Sequence, residues 1–295
     1  MQKIWKKVTA LFVFCAIISG IVAMIPFSVY ADGNENSIRQ EKQVTVENAF
    51  REVTVYINDE VMTTRGKLIE ETTYVPLRSV CEEFESCEVS WNDGIATVVS
   101  DSMRLDAQQG SHYVNANGRV LYHSKPIKNI DSRIYVPIRV LAKAYSLELK
   151  WDESEKSVKL YGDPKGLRSA EAYYSSEDLY WLSRIIHAES AGEPLTGKIA
   201  VGNVVINRKN RADYPNTIKG VIFDKKYGTQ FTPVASGTIY QTPSSESVLA
   251  AKICLDGFSL NHEMIFFINP RIATNFWIVN TRTHVLTIGN HKFYK

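Results

Sequence analysis

Two carboxylates four residues apart, Glu189 and Glu193, stand among small side chains in Ala188-Glu189-Ser190-Ala191-Gly192-Glu193-Pro194. A helix pattern leads into that run. Ser175-Ser176-Glu177-Asp178 has the form of a helix start, with Ser175 at the cap and Asp178 three residues on. Leu179, Leu182, Ile185 and Ile186 then recur on one face, and Glu189 continues the stripe. A carboxylate on the core-facing edge of a helix loses water, and the loss raises its pKa. A general acid working near neutral pH needs that tuning. The small neighbours leave room for a bulky chain to approach. A helix-end glutamate in a salt bridge would show the same spacing, so the pattern alone leaves both roles open.

In an unbroken helix Glu193 would share the face of Glu189, at about 5–6 Å. Double displacement at a sugar carbon needs carboxylates on opposite sides of the bond, and two from one helix turn approach from the same side. Gly192 and Pro194 also interrupt the helix, so Glu193 is expected to cap or orient. One catalytic acid, Glu189, is the expectation.

The elements that must hold this acid follow in order. Residues 194–208 are apolar nearly all round, as a central buried helix should be, with Asn203 and Asn207 as polar exceptions on one face. Buried amides need partners, so these two either bind neighbouring backbone or face a groove. Gln230-Phe231-Thr232 follows Gly228 on a loop, where binding residues are common. Ser190, Glu193, Asn203 and Gln230 are the candidates to contact substrate, and Ser190, Asn203 and Gln230 those to steady a developing positive charge. Residues 244–256 read as another helix, stopped by Gly257, and 265–268, 276–279 and 285–288 as strands.

Metal chemistry finds little support. A zinc amidase needs about three ligands around an open site. His187, His284 and His291 are available but not at such spacings, and His291 reads equally well as packing against Phe293 and Tyr294. His112 and His123 read as surface residues. Outside the leader Cys81, Cys87 and Cys254 remain, an odd number that fits small core residues better than a disulfide framework.

The N-terminal half repeats. Thr73-Tyr74-Val75-Pro76-Leu77-Arg78 returns as Ile134-Tyr135-Val136-Pro137-Ile138-Arg139. Each copy is followed by a helical stretch, a strand-like run carrying one tryptophan (Trp91 or Trp151), and an alternating strand. The reading is two strand-helix-hairpin units, at about 50–100 and 103–161, with turns at Asn92-Asp93-Gly94 and Asp152-Glu153-Ser154. Fifty residues bury too little surface alone, so the pair is expected to pack as one domain, the tryptophans and arginines serving as core and strand-end supports. These residues resemble the copper amine oxidase N-terminal-like domain over 50–161. The resemblance implies an attachment or binding module for wall polymers, without copper. Residues 162–175 form a breaker-rich linker.

The acid-bearing stretch, together with Gly197–Val205, Asn207-Arg208, Gln230-Phe231, Phe266-Phe267-Ile268-Asn269-Pro270 and residues 288–294, resembles the cell wall hydrolase domain of the SleB spore cortex-lytic family over 176–295. The resemblance implies an α+β, lysozyme-like catalytic domain with a small antiparallel sheet and peptidoglycan glycan strands as substrate. It also implies one essential glutamate aligned with Glu189, and lytic transglycosylase chemistry with neither metal nor cofactor. The family often has glycine where this chain has Ala188. The helical wall-binding domain common in cortex-lytic members is replaced here by the repeat, so muropeptide chemistry transfers and a role in spores does not. Two rival readings remain: an N-acetylmuramoyl-L-alanine amidase, and a non-catalytic wall-binding protein.

Composition agrees with this division. At 295 residues, 44% hydrophobic and 22% charged, the chain is an ordinary globular one, long enough for two domains. Lys3, Lys6 and Lys7 precede an apolar run over 8–25, and Val29-Tyr30-Ala31 suits a signal peptidase. Cleavage after Ala31 would secrete the protein to the wall; an uncut leader would anchor it in the membrane instead. Without those lysines the net charge of +2 becomes −1, which gives no argument for nucleic acid. A monomer is the expectation.

Overall fold

The computed structural model describes residues 50–226 and 228–295. The expected leader lies outside the described residues, and among the described residues no helix is long and apolar enough to cross a membrane.

The two repeats interlock. Thr72–Pro76 and Arg133–Pro137, the strands carrying the repeated motif, pair antiparallel at the centre of one five-stranded sheet, with Val75 opposite Val136. The alternating segment at the start of unit one is split between two sheets. Arg51–Val53 joins this sheet, while Val55–Ile57 crosses to pair in parallel with Ser157–Tyr161 of unit two. A second five-stranded sheet carries the hairpin Cys87–Asn92/Ile95–Ser100 at one edge and Arg119–Tyr122 at the other. Helices Leu77–Phe84 and Ile138–Ala144 start directly after Pro76 and Pro137, whose backbone needs no N–H partner there. Both helices add to one apolar cluster that includes Val55, Val75, Leu105, Val136, Leu141 and Leu160. The Asn92-Asp93-Gly94 turn has positive φ at Asp93 and Gly94, the two-residue geometry that matches strand twist.

The tryptophans correct the sequence reading. Trp91 is 52% and Trp151 40% exposed, so neither is a core support. Both sit on edge strands, Cys87–Asn92 and Glu148–Asp152, and in the first of these burial fades along the strand until its last three residues are exposed. Alternation marks the inward face but not where the cover over that face ends. Cys81 and Cys254 are buried free thiols and Cys87 is half-buried. His112 is exposed, whereas His123 is half-buried, its ring nitrogen accepting from Lys125 N.

Beyond residue 175 three helices, Ser176–Ser190, Leu195–Lys209 and Ser245–Leu255, pack mutually around a second apolar cluster. They approach closely at Gly202, where a Cβ would meet Cys254 Sγ at 2.7 Å and Ile186 Cδ1 at 2.9 Å. A three-stranded antiparallel sheet, ordered Phe266–Ile268, His291–Tyr294, His284–Ile288, closes the far side. The expected strand over 276–279 is instead a helical turn, Trp277–Thr281. Asn275 Oδ1 accepts from Trp277 N at 2.8 Å, and Asn280 and Arg282 donate back to Phe276 and Ile278. A local side-chain-to-backbone turn of this kind favours a helical turn where an apolar run alone suggests a strand.

The two halves share a buried seam. Arg119, on the strand Arg119–Tyr122, donates Nε and Nη2 to Asp256 Oδ1 at 2.9 and 2.6 Å, both side chains being almost fully buried. Val120 N and Tyr174 Oη donate to the other carboxylate oxygen, and Lys143 Nζ to the Asp256 carbonyl. Val120 itself lies within the helical cluster, and Tyr122 packs on Phe258. Residues 162–175 run along this seam, tied by Asn117 Nδ2 to Leu167 O and by Ala170 N to Asn117 O.

Candidate active site

Ser175 caps the helix Ser176–Ser190, its Oγ accepting from Asp178 N at 3.3 Å. Leu182, Ile185 and Ile186 are wholly buried, and their stripe carries Glu189 to the helix end. Glu189 emerges not in solvent but on the wall of a cavity of about 1390 Å³. The other walls include residues 229–233, the strand Phe266–Ile268, residues 269–282, and Arg208 from the central helix. Burial pushes the Glu189 carboxyl up to about 7, against the opposing pull of the Arg208 guanidinium. At neutral pH much of the population therefore holds a proton, at an atom facing a space large enough for several sugar rings.

Glu193 is buried beside it but differently employed. Its carboxylate accepts from Asn290 N at 3.1 Å and Asn290 Nδ2 at 2.9 Å. Burial alone would raise its pKa; the two Asn290 bonds and the nearby His291 and Lys198 outweigh that and leave it lowered. One group is thus kept acidic and its neighbour ionised, each by its own surroundings. The turn between the last two strands closes over this carboxylate. Gly289, at φ 56°, lies where a Cβ would fall 1.8 Å from Glu193 Oε2, so only glycine fits.

The expected contact residues separate. Ser190 lines the cavity, but its hydroxyl donates to Ile186 O at 2.6 Å. Gln230 stands half-buried on the wall, with Nε2 bonded to Gly228 O and its carbonyl oxygen unused by that bond. Asn203 lies away from the cavity. Its amide nitrogen donates to Phe258 O at 2.9 Å and its oxygen accepts from Leu260 N at 2.9 Å, so of the two uses open to a buried amide it has the backbone one. Asn207 does likewise, holding Asn261 O and Met264 O. These bonds tie residues 258–265 to the central helix and so set where the next strand begins. Asn203→Ala should therefore cost about 2–3 kcal/mol of stability, measured by denaturant unfolding, while leaving KM unchanged; a raised KM at unaltered stability would return Asn203 to the binding surface.

Several site residues escaped the sequence reading. Arg208, Asp213, Tyr214, Asp224 and Arg282 all line the cavity. Arg208 carried a usable signal, a charged residue one position after Asn207 on a largely apolar helix. The three histidines do not converge: His187 faces Ser244 and Ser247, His284 bonds Thr287, and His291 lies between Glu193 and Phe267. Among the described residues no three potential ligands are grouped to hold a metal ion.

Known proteins can be set beside this geometry. Residues 192–294 match the cell wall hydrolase family, and residues 56–160 match the copper amine oxidase N-terminal domain. The first match begins three residues after Glu189. A spore cortex-lytic enzyme of Bacillus cereus is 38% identical over 122 residues, 41% of this chain and 46% of its own length. That of Bacillus subtilis is 34% identical over 120 residues, 41% of this chain and 38% of its own. The chain thus spans half or less of the length of these curated relatives. Among solved structures, the catalytic domain of the germination-specific lytic transglycosylase SleB from Bacillus anthracis is 36% identical, with a TM-score of 0.38, over 41% of this chain and 97% of that one. The Bacillus cereus SleB catalytic domain is 37% identical, with a TM-score of 0.37, over 41% and 92%. The chain carries a cell wall hydrolase domain toward its C-terminus, preceded by a copper amine oxidase N-terminal domain.

Proposed function

We propose that the protein cuts peptidoglycan glycan strands as a lytic transglycosylase, with Glu189 serving first as general acid and then as general base. The observation that carries the proposal is a desolvated carboxyl, its pKa near 7, on the wall of a cavity of polymer size. The family match and the names of the relatives agree with it. The catalytic domain, residues 176–295, is read as lysozyme-like, and residues 50–161 as an attachment module for wall polymers, its two exposed tryptophans offering flat faces to sugars.

Protonated Glu189 gives its proton to the oxygen bridging N-acetylmuramic acid and N-acetylglucosamine. The C1–O bond breaks as the muramoyl 6-hydroxyl closes on C1. The same carboxylate accepts that hydroxyl's proton, leaving a 1,6-anhydro end and a free glucosaminyl hydroxyl. Glu193, occupied by Asn290, orients the strand turn and takes no proton. The Gln230 carbonyl oxygen and the Ser190 lone pairs, neither taken up by the bonds those side chains donate, are the candidates to steady the positive charge growing at C1. No residue in this scheme calls for a metal or cofactor. Secretion by the N-terminal leader and action in the wall as a monomer complete the reading.

The test is mass spectrometry of fragments released from purified sacculi. The wild type should yield anhydromuramoyl ends and Glu189→Gln none. Reducing ends would replace transglycosylation by hydrolysis, and free stem peptides would favour the amidase.

A further inference from the structure

Arg208 is 5% exposed, yet it lines the same cavity as Glu189. Its guanidinium is locked in place. Nε donates to Ile265 O at 2.7 Å, and the rings of Tyr214, Phe231 and Phe266 surround it at 5.4, 5.2 and 5.6 Å. Nη1 is buried and has no hydrogen-bond partner among the described residues. A buried cation with an idle N–H is costly to keep, and a folded site that retains one has a use for the charge.

The use follows from the proton cycle. Once Glu189 has released its proton it is an anion in a place with little water, a state that burial opposes strongly. An arginine does not lose its own proton there. The geometry points to Arg208 as the counter-charge that carries Glu189 through its anionic stage, a positioning residue for both proton transfers. This rests on Glu189 being the acid and base proposed above.

The spacing suits the role. Glu189 and Arg208 form no direct ion pair among the described residues, and contact at that range would lower the acid by about 1–3 pH units and strip its proton at rest. Set back, the guanidinium leaves the resting acid protonated and still reaches the anion. Among the described residues Glu193, Asp213, Tyr214, Asp224, Arg282 and His291 make up the rest of the titratable and charged set around the cavity. Tyr214 and Asp224 act on Arg208, Glu193 is held by Asn290, and Arg282 stacks on Phe266 and Trp277. Arg208 is the charge that acts on Glu189.

Initial rates of glycan cleavage on sacculi, measured from acid to alkaline pH, test this with Arg208→Gln, Arg208→Lys and Glu189→Gln, each checked for folding by its melting curve. Arg208→Gln should lose on the order of 10²-fold in rate. Its alkaline limb, where the acid is lost, should move up, by as much as about one pH unit. Arg208→Lys should recover most of the rate and bring the limb back. A folded Arg208→Gln whose limb stays at the wild-type position overturns the inference, whatever its rate. Should that variant not fold, the wild-type protein decides: the Arg208 guanidinium ¹⁵N signals should titrate with the midpoint of the Glu189 carboxyl, and signals flat through that midpoint overturn the coupling. An active Glu189→Gln removes the parent assignment together with this one, whereas an inert Glu189→Gln beside an unmoved limb removes only the role of Arg208.

Discussion

Glu189→Gln should be inert on cell walls and, above neutral pH, more stable than the protein it came from. Burial holds the folded carboxyl near 7 against an ordinary 4.5. Between those values the folded state binds more protons than the unfolded state, so stability falls as pH rises through that window. The loss is complete above about pH 7 and amounts to about 3 kcal/mol, at about 1.4 kcal/mol for each pH step between the unfolded and folded values. A glutamine has no proton to lose and escapes the fall. Melting curves at about pH 8 should place the variant several degrees above wild type, with the two converging near pH 4. A gap of the same size at both pH values would mean that packing, not ionisation, separates them. Catalytic carboxyls of this kind sacrifice stability for function, and the sign of the pH dependence distinguishes such a residue from a salt-bridged helix end.

The second large effect lies in the seam between the two halves. Asp256→Asn should destabilise the protein by about 3–5 kcal/mol, because Arg119 would be left buried without its counter-charge. For a unit of this size that corresponds to a fall in Tm on the order of 10 °C. Asp256 also receives Val120 N and the Tyr174 hydroxyl, so four donated hydrogen bonds from three residues converge on its two oxygens. Replacing Arg119 and Asp256 together by apolar residues should recover part of the loss, as removing both charges removes the unpaired one. The repeat and catalytic halves should melt in a single transition. A Tm within about 2 °C of wild type for Asp256→Asn, or two separate transitions in the intact protein, would show that the seam does not couple them.

Much of the catalytic half was legible because its elements obey local rules. A serine cap, a 3.6-residue stripe and a Gly-Pro interruption located the end of the acid-bearing helix and put Glu189 on its inner edge. The central helix showed in its lack of a polar face. What was not legible depended on partners distant in sequence. Whether Asn203 met a substrate or a backbone turned on Phe258 and Leu260, more than fifty residues away. The run at 276–279 has the apolar character of a strand, but Asn275 turns it into a helix. The motif strands of the repeat were visible one by one, whereas their pairing with each other, and the passage of residues 51–57 between two sheets, are decisions of the assembled fold. Trp91 and Trp151 followed the same pattern: periodicity put them on the inner face, and the extent of the core left them outside it.

Glycan cleavage by this route requires a proton held at Glu189 in the folded, unliganded protein at neutral pH. The ¹³C shift of its carboxyl, followed through a pH titration, tests this most directly. A midpoint near 7 is the expected result; a midpoint at the ordinary 4.5 would contradict it, leaving an ionised carboxylate with no proton to give.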